Sequence, residues 1–281
     1  MSKKIISLVL AVIVAAIGFV FVACNGNEGT ETTTAAGESQ TEAAKESDLE
    51  YVKSKGKLVV GITDFAPMDY KEKGSDEWIG FDADLAKAFA KELGVEVEFV
   101  EIVWDNRIID LNGKNIDCVW NGMTLTEDVK AAMETSKAYC NNAQVVIIPA
   151  DKADSIKTVE DCKDLAFAVE KGSAGMEMAE ENKFNFTEVA AQSDALSEVA
   201  SGTSDAAIID SLMAAAMVGE GTGFSKLTTT DIKLNSEEYG VGFRKGSDLA
   251  AKLDEFFAKS LADGSMEKLA ETYGVQAALI K

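Results

Sequence analysis

The chain has 281 residues, 47% of them hydrophobic and 27% charged, an ordinary balance for one or two globular domains. Its net charge of −21 argues against a nucleic-acid partner, which needs clustered Lys and Arg. It has no histidine, which removes His-dependent triads, His general bases and most zinc sites.

Residues 1–24 read as an export signal. Lys3 and Lys4 give a positive start, Ile5 to Val22 is an apolar run, and Val22-Ala23-Cys24 places small residues before a cysteine. This resembles a bacterial lipoprotein signal, in which Cys24 is lipidated and becomes the new N-terminus. Phe21 is a mild departure from the Leu, Val or Ile usual at that position. An uncleaved membrane anchor is the competing reading, since the run approaches the length of a span. Residues 25–49 are Thr, Glu, Ala, Gly and Ser with few large apolar groups, and they are expected to form a flexible tether. Of the four cysteines, Cys24, Cys118, Cys140 and Cys162, none forms a C-x-x-C pair. Buried free thiols are expected for the last three, with at most one disulfide among them.

From Lys57 the pattern becomes globular. Leu58 to Ile62 reads as a strand, followed by the loop Thr63-Asp64-Phe65-Ala66-Pro67. Gly80-Phe81-Asp82 opens a helix with Asp82 as the expected N-cap. Leu85, Phe89 and Leu93 line one face of it, and Gly94 closes it. Val95 to Val100 is a strand, Asp105 to Asn112 a helix, and Ile116 to Asn121 a strand. Trp120 to Glu127, Trp-Asn-Gly-Met-Thr-Leu-Thr-Glu, reads as a strand-to-helix turn. Such a turn can hold a small anion on backbone amides, and a glycine lets a ligand approach the backbone.

Gln144 to Pro149 is a strand or extended crossover, after which the alternation restarts. Strands are expected at Leu165 to Val169, Phe186 to Ala190, Ala206 to Ile209 and Tyr239 to Arg244. Gly172-Ser173-Ala174-Gly175 opens a helix. Further helices are expected at Asp194 to Ser201, Leu212 to Val218, Ser247 to Ala262 and Met266 to Tyr273. Repeated β-α-β units argue for an α/β protein with mostly parallel sheets flanked by helices. Two such units in succession make two lobes with a cleft the natural architecture.

Several motifs then occur in order: Gly80-Phe81-Asp82-Ala83-Asp84-Leu85-Ala86, Trp104-Asp105, Gly113-Lys114-Asn115-Ile116-Asp117 and Asn121-Gly122-Met123-Thr124-Leu125-Thr126. Glu170-Lys171-Gly172-Ser173, Ser204-Asp205-Ala206-Ala207 and Tyr239-Gly240-Val241-Gly242 follow. From about Gly56 to Tyr273 the chain resembles the polar amino-acid-binding proteins of bacterial ABC importers (extracellular solute-binding protein family 3), of lipoprotein type. The resemblance implies a two-lobe periplasmic-binding-protein-like fold of type II with two crossover strands. Lobe 1 would comprise 50–148 and 236–281, and lobe 2 149–235. It implies a monomer, lipid-anchored on the outer face of the cell membrane, that captures an amino acid or close analogue and delivers it to a membrane permease. No cofactor, metal or catalytic residue is implied.

The family's ligand residues carry over by position. Phe65 matches the aromatic that covers the ligand. Gly122 and Thr124 match the residues that take the α-amino group, and Asp210 the carboxylate paired with it. Ser173 and Ala174 match the turn whose amides hold the α-carboxylate. Asp64, Trp104, Trp120, Asn121 and Met123 lie where the family contacts the ligand. One departure stands out. In the family the turn continues Thr-x-Thr-x-x-Arg, and that arginine clamps the α-carboxylate. Here the position is Val129, and Lys130 stands roughly 100° further round the helix. Either Lys130 or Arg107 compensates, or backbone amides and helix dipoles carry the carboxylate, or the ligand is not a standard α-amino acid. The alternative class is an enzyme, since some family members are dehydratases of cyclic prephenate-like acids. Glu170, Asp64 and Asp210 are its acid-base candidates. A third reading, an extracellular sensor module, is disfavoured because no signalling domain follows Lys281.

Overall fold

Leu58 to Ile62 can all be buried only if both faces of their sheet are covered, and that is how the strand Lys57–Ile62 is built. The computed structural model describes residues 47–281. It places this strand between Glu96–Glu101 and Cys118–Thr124, parallel to both. Glu237–Phe243 returns antiparallel beside Cys118–Thr124, and the short strands Glu134–Thr135 and Cys140–Asn142 pair with it in turn. A second sheet runs Asn185–Val189, Ala166–Glu170, Ala206–Asp210, Gln144–Pro149, Leu227–Lys233. Its first three strands are parallel and its last two antiparallel. Each sheet is therefore parallel where β-α-β units form it and antiparallel where the chain crosses over.

The crossings themselves lie between Asn142 and Gln144 and between Lys233 and Glu237. The expected division at 148/149 thus falls inside a strand. Gln144 to Ile148 is a buried run that pairs with Ala206–Asp210 and Leu227–Lys233, so the crossover sits at Ala143. The strand Leu227–Lys233 was not legible as one. Its Leu-Thr-Thr-Thr-Asp-Ile-Lys buries only Leu227 and Ile232, and it stands at the sheet edge, where no alternation is required.

The helix Phe81–Leu93 buries Phe81, Leu85, Phe89 and Leu93 along one stripe, and Gly94 ends it at φ 76°. Its N-cap is Gly80, not Asp82. At Gly80 the φ is 128° and a Cβ would overlap the Met68 carbonyl oxygen, so only glycine fits. Asp82 lies in the first turn with its carboxyl in the core, where it serves the site described below. The expected helix Asp105 to Asn112 is a 3₁₀ turn, Trp104–Asn106, followed by an α-helix, Arg107–Asn112.

The tether was expected to reach residue 49, but an α-helix begins at Asp48 and runs to Lys55. Ser47 caps it by accepting from the Glu50 N–H, and Ser47 and Leu49 are fastened to Asp248. Asp48 is buried against Arg244. The composition of residues 25–49 carried no sign of these partners, which lie about 200 positions away. The signal at 1–24, the lipidation site Cys24 and the rest of the tether lie outside the described residues. Among the described residues no helix is long and apolar enough to cross a membrane. Cys118, Cys140 and Cys162 are buried free thiols.

The main core packs Phe89 against Trp120 and Phe256, and Trp120 against Phe257, at ring separations of 5.5–6.2 Å. These contacts correct the assignment of Trp120 to the ligand. The strand continues to Thr124 rather than turning at Trp120, so side chains alternate across it. That alternation sends Trp120 with Cys118 into the aromatic core, and Val119 and Met123 into a separate cluster with Val129 and Met133.

Candidate functional site

The site collects at strand ends, where loops expose backbone and polar groups. Thr63 follows the first strand, and its N–H donates to Asn121 Oδ1 at 2.6 Å. Asn121 Nδ2 donates to Thr63 Oγ1 at 2.8 Å. Two adjacent strand ends are thereby tied together, which makes Asn121 a brace for the loop that carries Asp64 and Phe65. Phe65 is buried, its N–H donates to the Asp69 carbonyl, and its ring meets Tyr239 edge-on at 6.4 Å.

Beneath that ring lies Gly122, at φ 55° within the strand. Its N–H donates to Asp82 Oδ2 at 2.7 Å, and Tyr139 donates to the same oxygen at 2.7 Å. Burial pushes the Asp82 carboxyl up to about 7, and these hydrogen bonds oppose the rise. A Cβ at Gly122 would overlap Phe65 Cε1. Gly122→Ala is therefore expected to displace the Phe65 ring and to cost about 1–3 kcal/mol of stability. Urea denaturation of the variant checks this, and a midpoint equal to wild type would show that the ring is not seated there.

Phe65, Asp64, Trp104, Asn121, Gly122, Met123 and Thr124 line a cavity, which Ser173, Ala174 and Asp210 close from the second sheet. Trp120 is absent from its wall. Thr63, Arg107, Thr126, Val129, Glu170, Glu177, Gln192 and Met213 complete the lining. Of these, Glu177 and Gln192 had no signal in the sequence. Glu177 sits one turn into the helix that Ala174 opens. Gln192 reaches the cavity from the start of the helix Gln192–Ser201.

The second sheet contributes the ends of two neighbouring strands, Glu170 and Asp210. Ser173 caps the helix Ala174–Glu181 by accepting from the Met176 N–H at 3.2 Å, and its hydroxyl donates to the Glu170 carbonyl at 2.8 Å. Asp210 occupies an N-cap position but makes no capping bond. Its carboxyl instead accepts from Tyr239 at 2.7 Å, Gln144 at 3.0 Å, Asn142 and Gln192. Asn142 and Gln144 donate to Glu237 Oε1 as well, at 2.6 and 2.9 Å, and Thr124 Oγ1 donates to it at 2.9 Å. Asp210 is thus wired through both crossover segments to Thr124 of the first sheet.

Electrostatically the cavity is acidic. Burial, then the charge of Asp210, pushes Glu170 up to about 8. Burial, then Glu237, pushes Asp210 up to about 7. Asp64 and Glu177 are raised as well, chiefly by burial. Burial lowers Arg107, while Glu170, Asp105 and Glu177 act to keep it charged. Its guanidinium lies over the Trp104 ring at 4.6 Å, and Nη1 donates to the Trp104 carbonyl at 2.8 Å. The N–H of Val129 is already donated to Thr126 Oγ1, which caps the helix Glu127–Ala132.

The two sides meet at the mouth. Lys171 stands 3.7 Å from Asp105 and 3.5 Å from Glu188. A Cβ on Gly172 would come within 2.8 Å of Asp105 Oδ1. The φ of Gly172 is 70°, so glycine serves both the turn and the close approach. Among the described residues no group of side chains is placed to hold a metal ion.

Comparison with known proteins agrees with this architecture. The chain is 29% identical over 266 residues to the arginine-binding extracellular protein ArtP of Bacillus subtilis, covering 92% of this chain and 94% of that one. Among solved structures it is similar to the ancestral amino-acid-binding protein AncCDT-1, a precursor of cyclohexadienyl dehydratase. The TM-score is 0.74 at 34% identity, over 81% of this chain and 99% of that one. It is also similar to a mutant of ArgBP from T. maritima, with a TM-score of 0.73 at 31% identity, over 80% and 98%. Residues 58–276 match a single family across nearly all of the described fold, and the chain belongs to it: the bacterial extracellular solute-binding proteins, family 3.

Proposed function

We propose that this protein is the extracytoplasmic binding component of an ABC-type importer and that its ligand is a cationic α-amino acid of the arginine or lysine kind. The observation that carries the ligand class is the charge of the cavity. Four carboxyls, Asp64, Glu170, Glu177 and Asp210, face a single cation, Arg107. Glu170 and Asp210 are buried, and gathering acids around them is costly unless a positive ligand compensates them. A cationic amino acid brings two positive groups and one carboxylate, which suits this imbalance. The arginine-binding relatives support the same class.

The parts divide naturally. Phe65 offers a flat apolar cover. Thr124 gives its proton to Glu237, which leaves its oxygen free to accept from the ligand's ammonium. Asp210 and Glu170 supply negative charge once they ionise. Trp104 and Met123 complete the walls, and Ser173 and Ala174 present a helix N-terminus to the ligand's carboxylate. The two sheets act as lobes hinged at Ala143 and at Leu234 to Ser236 that close on the ligand. The monomeric body is held at the membrane by lipid on Cys24 and presents the ligand to a membrane permease.

The dehydratase alternative is supported by the likeness to AncCDT-1 and by Glu170, a carboxyl that keeps its proton near neutral pH. The acid count weighs against it, because a cyclic dicarboxylic acid would enter a cavity of like charge. A thermal-shift panel decides between them. L-arginine, L-lysine, L-ornithine and L-histidine are compared with L-glutamine, L-glutamate, L-cystine and prephenate. A basic amino acid at a hundred times its Kd is expected to stabilise the protein by about 2.7 kcal/mol. Stabilisation by acidic or neutral ligands alone would overturn the assignment, and turnover of prephenate would establish the enzyme.

A further inference from the structure

We infer that Arg107 is the residue that clamps the ligand's carboxylate, performing from a different element the part that Val129 cannot. The inference rests on the proposed amino-acid ligand. Its starting point is that Val129 has no donor to offer. The side chain is apolar and buried among Met123 and Met133, and the N–H is spent on Thr126. Lys130 is not a substitute. Its Nζ pairs with Glu127 at 3.1 Å, and it lines a separate surface depression.

Arg107 has what both lack. Its cation is the one charged donor in the cavity wall among the described residues. The stacking on Trp104 fixes the plane of the guanidinium, and the bond from Nη1 to the Trp104 carbonyl fixes its rotation. Nε is shielded from solvent and has no hydrogen-bond partner. A buried donor without an acceptor is costly. The edge formed by Nε and Nη2 is the fork that binds a carboxylate through two parallel bonds. A carboxylate there would satisfy Nε and offset the desolvation that lowers the guanidinium.

The position also explains how such a clamp joins the two sheets. A Cβ on Gly172 would lie 3.5 Å from Arg107 Nη1. The guanidinium, carried by the helix Arg107–Asn112, therefore stands beside the turn that opens the helix Ala174–Glu181. The first N–H groups of that helix have no acceptor within it. A carboxylate seated between them touches both sides at once, which links its recognition to closure.

Removing the carboxylate from the ligand tests this. L-arginine and agmatine share a guanidinium and an amine, but only L-arginine has a carboxylate. Calorimetry is run with both on wild type, Arg107→Gln and Arg107→Lys. Wild type is expected to prefer L-arginine. Arg107→Gln is expected to weaken L-arginine by about 10–100-fold while leaving agmatine within a few-fold, so that the preference collapses. Arg107→Lys, which keeps the charge but not the fork, is expected to fall between. Retained agmatine binding shows that the variants are folded. An unchanged L-arginine to agmatine ratio in both variants would overturn the role of Arg107. If the panel above returns a different amino acid, that compound and its decarboxylated amine replace this pair. If it returns no amino acid, the clamp is rejected together with the ligand class.

Discussion

Raising the pH from about 6 to about 8 is expected to tighten a cationic amino acid by one to two orders of magnitude, and to destabilise the unliganded protein at the same time. Both effects come from Glu170 and Asp210, pushed up to about 8 and about 7. In the unfolded chain these carboxyls titrate near pH 4. Between those limits the native state holds protons that the unfolded state has released. Their contribution to stability is fully present below about pH 4 and is lost as the pH rises through 7 and 8.

A cationic ligand reverses the preference, because it favours the ionised carboxylates and expels their protons. The groups facing this pair are known. Glu237 and Tyr239 lie against Asp210, while Asp210, Arg107 and Asp194 act on Glu170. Calorimetry at pH 6, 7 and 8, in two buffers of different ionisation enthalpy, counts the protons released. A flat profile would remove both acids from the binding reaction. Asp210→Asn separates the two. It is expected to cost about 2–5 kcal/mol of binding, the usual loss when a buried charged pair is broken at an interface. It should also reduce the protons released near pH 6 by about one. Wild-type affinity in this variant would take Asp210 out of the site.

The second large effect lies away from the cavity. Arg244→Met is expected to destabilise the fold by about 3–5 kcal/mol, because removing one partner strands the others as uncompensated buried charge. Arg244 is buried. Nε donates to both oxygens of Asp48 at 3.1 Å, Nη1 to the carbonyls of Ile116 at 2.8 Å and Leu111 at 3.3 Å, and Nη2 to Asp117 at 3.3 Å. Asp117 is fully buried and is also paired with Lys55 at 2.5 Å. It accepts in addition from the Val59 N–H at 2.8 Å. Methionine fills much of the same volume and satisfies none of these groups. Urea unfolding should show a lower midpoint with an unchanged slope. A loss below about 1 kcal/mol would mean that water replaces the guanidinium, and that the helix Asp48–Lys55 is not anchored through it.

Asp48 also shows where reading along the chain stops. The segment before residue 50 has the composition of a tether, and its helix exists because Ser47 caps it and distant Asp248 and Arg244 hold it. The same limit governs Trp120. An apolar run and a glycine announced a strand and a turn, but which way the indole points depends on how far the strand continues. Its partner Glu237–Phe243, more than a hundred residues on, decides that by pairing as far as Thr124.

What the sequence determined by itself is local. Buried strands such as Lys57–Ile62 follow from continuous apolar runs, and the helix Phe81–Leu93 from its four-residue stripe. The ordered motifs carried the family. The loop Asp64-Phe65, the helix start at Ser173 and the strand end at Asp210 follow from elements readable from their own residues, and the resemblance added Gly122 and Thr124, which lie in a strand and not in the expected turn. The tertiary structure alone brought Glu177 and Gln192 to the same cavity, placed Arg107 there and not Lys130, and turned Asp82 from an expected cap into a support for Gly122. The physical reason is that the charge state and direction of a polar group depend on which partners desolvate it or bond to it. Here those partners come from both sheets and both crossovers, which lie far apart in the chain and adjacent only once it has folded.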